Sequence, residues 1–278
     1  MLRSMYSGIN GMKNFQTKLD VIGNNIANVN TFGFKKGRVV FKEMISQTIS
    51  GATGNVDRGD GAGGVNPKQV GLGSQIAAID TIDTEGSTQT TGRVLDLAIS
   101  GDGYFAVRRG NADDGEMLFT RAGNLYLDNQ GYLVTSAGDY ILDEESGAIQ
   151  INGGATDEIA NLSIGTDGTI TYIVDGAPEE TSPIGIARFR NNAGLEKAGE
   201  NLYRNTANAS EDVEDEVELL APGVDGAGKI VSGALEMSNV DLSEEFTEMI
   251  VAQRGFQANT KIITTSDEIL QELVNLKR

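Results

Sequence analysis

LRSMYSGINGMKNFQTKLDVIGNNIANV (2–29) opens the chain with apolar residues at helical spacing. Leu2, Met5, Ile9, Met12, Phe15, Leu19, Ile22, Ile26 and Val29 recur every three or four positions. The other end repeats the pattern in VDLSEEFTEMIVAQRGFQANTKIITTSDEILQELVNLKR (240–278). There Leu242, Phe246, Met249, Phe256, Ile263 and Leu270 form one row, and Ile262, Ile269, Leu273 and Leu276 a second. Both ends read as long amphipathic helices. Chain ends normally fray, so apolar stripes at both extremities must be buried against each other or against other copies. The pattern points to the subunit of a polymer.

The first helix is intrinsically weak. Gly8, Gly11 and Gly23 and the cluster Asn24, Asn25, Asn28 and Asn30 lower its propensity. The step Met12→Phe15→Leu19 breaks a clean heptad, a stammer. Such a helix forms on packing rather than alone. Thr31-Phe32-Gly33 ends it, and FGFKKGRVVFKEMISQ (32–47) reads as a short extended piece leading to a helical turn. Residues 51–74 hold eight Gly in twenty-four and little periodicity, so they read as a loop ordered by its neighbours.

From Ile76 onward short apolar runs alternate with turns. VLDLAI (94–99), YFAVR (104–108), YLVT (132–135), TITYIV (169–174) and IGIARF (184–189) are separated by GDG, LDNQG, TSAGD and GTDG. That spacing predicts an antiparallel β domain. EDVEDEVE (211–218) reads as a solvated loop or edge, followed by Gly-rich APGVDGAGK. The expected class is α+β. Residues 1–75 and 229–278 form a discontinuous, coiled-coil-like helical core, and 76–228 an inserted β-rich outer domain.

Charge follows the same division. Residues 1–50 carry seven bases and two acids, a net of +5. Residues 229–278 carry five bases and eight acids, a net of −3. The middle, with ten bases and thirty acids, holds −20 of a chain whose net charge is −18. The opposite signs of the ends favour their association. An acidic middle without a concentrated basic face excludes nucleic acid as a partner. No stretch approaches the roughly 20 apolar residues of a membrane span, so no membrane insertion is expected. The start has no signal-peptide apolar core, which leaves cytoplasmic residence or export without a cleaved signal.

Catalysis has little to stand on. With no Cys and no His, thiolate and imidazole chemistry and most zinc sites are excluded. Asp102, Asp128, Asp139 and Asp167 sit in turns and read as solvated acids. Gly101-Asp102-Gly103 lies between two β runs, so it reads as a tight turn rather than a dinucleotide loop. DRGDGAGG (57–64) is similar to a Ca²⁺ loop and contains Arg58-Gly59-Asp60. No Asp/Asn ladder with a terminal Glu follows it. No catalytic residue, cofactor or metal is therefore assigned. The competing class is a secreted acidic enzyme or Ca-dependent adhesin, with Asp57 and Asp60 as the residues to test. Met5, Met12, Met237 and Met249 would give adaptable contacts between copies.

Four segments carry a resemblance. LDVIGNNIANVNTFGFKKGRVVF (19–41), TGRVLDLAISGDGYFAV (91–107), FTRAGNLYLDNQGYLVTSAGDYIL (119–142) and residues 233–278 resemble, in order, the motifs of the bacterial flagellar rod–hook family of axial proteins. Within it, VIGNNIAN (21–28), MIVAQRGFQ (249–257) and DEILQELVNLKR (267–278) are similar to hook sequences. NVNTFGFKKGRVVFKEMISQ (28–47) and the short length are closer to the distal rod. A compact hook subunit of the Gram-positive type reconciles these features and is favoured, with the distal rod as the alternative. The resemblance implies a helical homopolymer that transmits torque as a universal joint, located extracellularly in the flagellar hook. Its implied partners are other copies, the distal rod, the hook cap, the hook–filament junction proteins and the export apparatus. The apolar rows above, with Leu273, would be the self-assembly residues.

Overall fold

The computed structural model describes residues 2–54, 64–112, 115–151, 160–174, 177–210 and 217–276. The chain is α+β, with a helix at each end and antiparallel strands between them. It divides into two units. The first holds Met1–Ile26, Gly37–Asp80 and Asp241–Arg278, and the second Ala27–Lys36 and Thr81–Val240. Segments 27–36 and 229–240, grouped with the helices on sequence grounds, lie in the second unit.

In the first unit α1 (Leu2–Ala27) and α2 (Leu242–Asn275) are the long elements. At ~1.5 Å per residue they span about 39 and 51 Å. Asp241 caps α2, its carboxylate accepting from the backbone N–H of Ser243 and Glu244. Glu244 and Glu245 then place negative charge in the first turn. Among the described residues, four strands complete the unit. β1 (Gly37–Glu43) pairs with β4 (Ser74–Thr81), and β2 (Ser46–Ser50) with β3 (Lys68–Gly71).

Two expectations fail here. The helical turn after residue 43 is instead β2, because Ile45, Thr48 and Ile49 favour extended backbone and β3 supplies a ladder for it. The Gly-rich segment 51–74 is a loop only in part. Its Lys68–Gly71 strand pairs antiparallel with β2, Gln47 opposite Val70, and a further bridge joins Thr53 to Val65. Arg58-Gly59-Asp60, Asp57 and most of the acidic run 211–218 lie outside the described residues.

In the second unit the strand Tyr104–Gly110 is the centre of the largest sheet. It pairs along one edge with Gly115–Thr120, and along the other with Tyr140–Ile141 and Ile186–Ala187. Tyr104, Phe105, Ala106 and Val107 are all buried. The run lacks polar alternation because both of its faces are covered. Phe105 and Val107 enter one core with Leu97, Ile99 and Leu118. Tyr104 and Ala106 enter another with Phe119, Phe189 and Tyr203. The aromatic rings of this second core meet edge to face, Phe119 on Phe189 at 4.8 Å and Tyr104 on Tyr203 at 5.5 Å. Strands continue beyond Arg190, and Lys229–Ser232 and Ala234–Glu236 precede α2. The Gly101-Asp102-Gly103 turn joins two strands. A Cβ on Gly103 (φ +138°) would lie 2.3 Å from Ile186 Cγ2, which requires glycine.

Candidate assembly surface

The two helices pack antiparallel, which is visible contact by contact. Asn25 Nδ2 donates to Glu245 Oε2 at 3.2 Å, and Lys18 pairs with Glu248. Phe15 faces Gly255, Gly11 faces Asn259 and Gly8 faces Ile263. The approach is close. A Cβ on Gly255 would sit 2.5 Å from the Phe15 ring, and one on Gly11 2.7 Å from Asn259 Oδ1. Gly11 and Gly255 are therefore close-packing positions, whereas a Cβ on Gly8 would meet Ile263 at 3.4 Å, an ordinary contact. Gly23, where an added methyl would meet nothing within 4 Å, carries only the propensity cost.

Along α2 the row facing α1 is Glu245, Met249, Ala252, Phe256, Asn259, Ile263, Ser266 and Leu270, with steps alternating four and three. Half of it is polar or small, so a search by hydrophobicity finds only the other half. The same helix also covers the strands. Phe15 meets Phe41 of β1 edge to face at 5.9 Å, and Asn14 Nδ2 donates to Ser74 Oγ at 3.0 Å. Asn25 closes a two-way bond with the backbone of Gly37. Asn25, one of the asparagines that weaken the isolated helix, thus becomes an anchor once it is packed.

Of the residues singled out from sequence, Ile22 is buried within the chain. Met5, Ile9, Met12, Phe15, Leu19, Ile26 and Val29 are half-buried, as are Met249, Phe256, Ile263 and Leu270. The side chain of Leu2 lies outside the described set. Leu242, Phe246 and Leu273 are exposed. The second row of α2 is bare. Ile262, Ile269, Leu273 and Leu276 show 44%, 49%, 49% and 82% of their surface, with Val251 at 55% beside them. The register from Asn25–Glu245 to Gly8–Ile263 puts Leu2 opposite about residue 269, so α2 outruns α1 by about two turns. These side chains leave apolar surface exposed along α2, chiefly its C-terminal half.

In the second unit a buried charge cluster joins the residues just after α1 to those just before α2. Glu236 Oε1 accepts from Lys35 Nζ at 2.7 Å and Gly86 N at 3.0 Å, and its Oε2 from Arg121 Nη1 at 3.1 Å. Lys35, Arg121 and Glu236 are all at least 98% buried. Asn239 extends the tie. Its Oδ1 accepts from Lys36 N at 2.8 Å, and its amide donates to the carbonyl of Ile82 at 2.8 Å. Burial, with Asp83 nearby, drives the Tyr104 and Tyr203 hydroxyls well above the usual phenol range. Sequence reasoning misses this network, because its members are scattered charges on different strands.

Among the turn acids, Asp102, Asp128 and Asp167 are exposed, as expected, whereas Asp139 is 5% exposed. The expectation of a solvated acid fails there because the turn 135–139 folds its carboxylate inward. Among the described residues no group of His, Cys, Asp or Glu could hold a metal ion, and no helix is long and apolar enough to cross a membrane.

Residues 5–35 match the family described as flagella basal body rod protein, 98–172 the flagellar hook protein FlgE/F/G D1 domain, and 231–276 the flagellar basal body rod FlgEFG protein C-terminal region. The chain is 57% identical over 279 positions to the flagellar basal-body rod protein FlgG of Bacillus subtilis, and 37% identical over 287 positions to FlgG of Borreliella burgdorferi. To the flagellar hook protein FlgE of Borreliella burgdorferi it is 30% identical over 453 positions. Each of these comparisons covers the whole of both proteins. With matches at both helices and in the β unit, and relatives aligned end to end, the chain belongs to the flagellar rod and hook family, which is structural and not enzymatic.

Proposed function

We propose that this chain is a subunit of the distal rod of the flagellar basal body, rather than the compact hook subunit its helical motifs favoured. Length carries the reading. The rod relatives align over 279 and 287 positions, so almost nothing is inserted in either direction. The hook relative needs 453 positions for the 278 residues here, leaving at least 175 with no counterpart. The hook-like signatures fall mainly on the helices, VIGNNIAN on α1 through Ala27, MIVAQRGFQ on α2, and DEILQELVNLKR on α2 through Asn275. There they record how helices pack in a tube, a demand that straight and curved tubes share.

In this reading copies associate through the exposed row Ile262, Ile269, Leu273 and Leu276 together with Leu242 and Phe246, and the half-buried rows of α1 repack against neighbours. The acidic β unit remains in solvent, where its charge costs no desolvation. Other axial proteins and the flagellar export apparatus are the remaining partners. Electron microscopy of basal bodies from cells lacking the chain tests the assignment. Truncated rods without hooks are expected. Complete rods lacking only the hook would return the chain to the hook.

A further inference from the structure

Two short segments of the second unit adjoin the inner ends of the terminal helices. Residues 28–36 follow α1, which ends at Ala27, and residues 236–240 come just before α2, which begins at Leu242. The two segments are fixed to each other. Gly33 N donates to the carbonyl of Glu236 at 2.9 Å, and Lys36 N to Asn239 Oδ1 at 2.8 Å. Lys35 Nζ reaches Glu236 Oε1 across 201 positions of chain. Gly33 sits at φ +67°, where a Cβ would lie 2.6 Å from the backbone of Arg121 and Ala122, so only glycine fits. Asn201 Nδ2 donates to the carbonyl of Phe32 at 3.3 Å, and Lys197 Nζ lies 5.0 Å from the centre of the Phe34 ring. The Asn239 amide holds the other segment, donating to the carbonyls of Ile82 at 2.8 Å and Thr84 at 3.3 Å.

Each helix meets this clamp at a finished end. After α1, Thr31 N donates to the carbonyl of Asn28 at 3.1 Å and Thr31 Oγ1 to its Oδ1 at 3.1 Å, closing the exit turn. Before α2, Val240 N donates to Ser238 Oγ at 3.3 Å, and Asp241 then caps the first turn. The costly step of a helix is its first turn, with a nucleation factor of about 10⁻³. Gly8, Gly11 and Gly23 leave α1 little propensity to offset that cost. Bringing the two helices together also closes a long loop, an entropic cost that folding of the β unit meets in advance. Burial is firm beside the clamp, where Ile22, Asn25 and Glu245 are at most 5% exposed, whereas Leu273 and Leu276 at the far end of α2 show 49% and 82%.

We propose that the clamp is a seed for the terminal helices. It fixes their inner ends together, and both grow outward from it, α1 towards its N-terminus and α2 towards its C-terminus. Seeding of this kind is independent of whether the tube is rod or hook. Amide hydrogen exchange of the full-length chain, at a concentration where it is monomeric, tests it. Protection should be highest at Val21–Ala27 and Glu245–Met249, and fall at least ~10-fold by Tyr6–Asn10 and Leu270–Asn275. Asn239→Ala, which cuts the tie between the segments, should lower protection at both inner ends at least ~10-fold, as expected for one or two lost hydrogen bonds. The strand Tyr104–Gly110 should keep its protection. Ile170→Val, a mild truncation of a fully buried core residue, is the control, and should lower strand protection while the helix ends keep theirs. Asn201→Gly serves if Asn239→Ala misfolds, because it drops the bond to Phe32 yet suits the left-handed φ of +60°. It should lower protection several-fold at Val21–Ala27 alone, and an unchanged value there would overturn the seed. Protection that is uniform along the helices, absent from their inner ends, or unaffected by Asn239→Ala would overturn it equally.

Discussion

Replacing Glu236 with glutamine would strip the shared counter-charge from two buried cations while preserving shape. Lys35 and Arg121 are 1% and 2% exposed, and the Glu236 side chain is fully buried between them. Glutamine can keep one acceptor, but its amide nitrogen must then face a cationic donor. The lost charge-assisted hydrogen bond is worth about 1.5–3 kcal/mol, and breaking a buried pair by removing one partner costs about 3–5 kcal/mol. Asp83, 3.6 Å from Lys35, offsets part of this. A net loss of about 3–4 kcal/mol is expected, still within the range for breaking a buried pair. Urea unfolding read by the near-ultraviolet dichroism of Tyr104 and Tyr203 measures it. With a urea slope of about 2 kcal/mol/M, the midpoint should fall by about 1.5–2 M. The internal control is Glu116→Gln, which removes an exposed pair with Arg204 and should cost under about 1 kcal/mol. A Glu236→Gln shift no larger than the control's would overturn the view that these charges are buried and mutually dependent.

The helix pair supplies a test of opposite signs on one residue type. Gly23→Ala should stabilise the helices by about 1 kcal/mol, since a methyl there meets only open space. Gly255→Val should destabilise them by about 1–3 kcal/mol through overlap with Phe15. Thermal melts of helical dichroism giving both the same sign would exclude the close approach described. Phe246→Asp, at a side chain 50% exposed in the single chain, should abolish polymers while leaving the β-unit signal unchanged. Normal tubes from this variant would remove the helix face from assembly. Ile26, half-buried within the chain, is a less direct probe, because Ile26→Asp also perturbs the fold. In alkaline titration Tyr104 and Tyr203, raised chiefly by burial, should yield phenolate absorbance only as the β unit unfolds. Because their folded pKa values are raised, the stability they contribute is complete below about pH 10 and declines above it. Ionisation of all seven tyrosines near pH 10 with the β unit intact would contradict their burial.

Particular residues show how far each level of description reaches. YFAVR is legible as a strand because its apolar run and flanking turns are local signals, and Tyr104–Gly110 is the central strand. Gly8 and Gly11 can be read only as weak helix formers, because what lies opposite them is some 250 residues away in the chain. Asp139 misleads for the same reason. A turn acid is solvated by default, whereas the Asp139 carboxylate pairs with Arg109, thirty residues away in the chain.

Local pattern alone establishes that the chain ends in two long amphipathic helices around a turn-rich β region, that its chemistry is structural, and which family its motifs resemble. Those properties follow from periodicity, composition and short motifs, all carried by neighbours in the chain. Folding in three dimensions settles which apolar row of α2 meets α1 and which stays bare. It also brings Lys35, Arg121 and Glu236 into one interior. Each of these depends on side chains brought together from distant positions, where packing and desolvation rather than local propensity set the outcome.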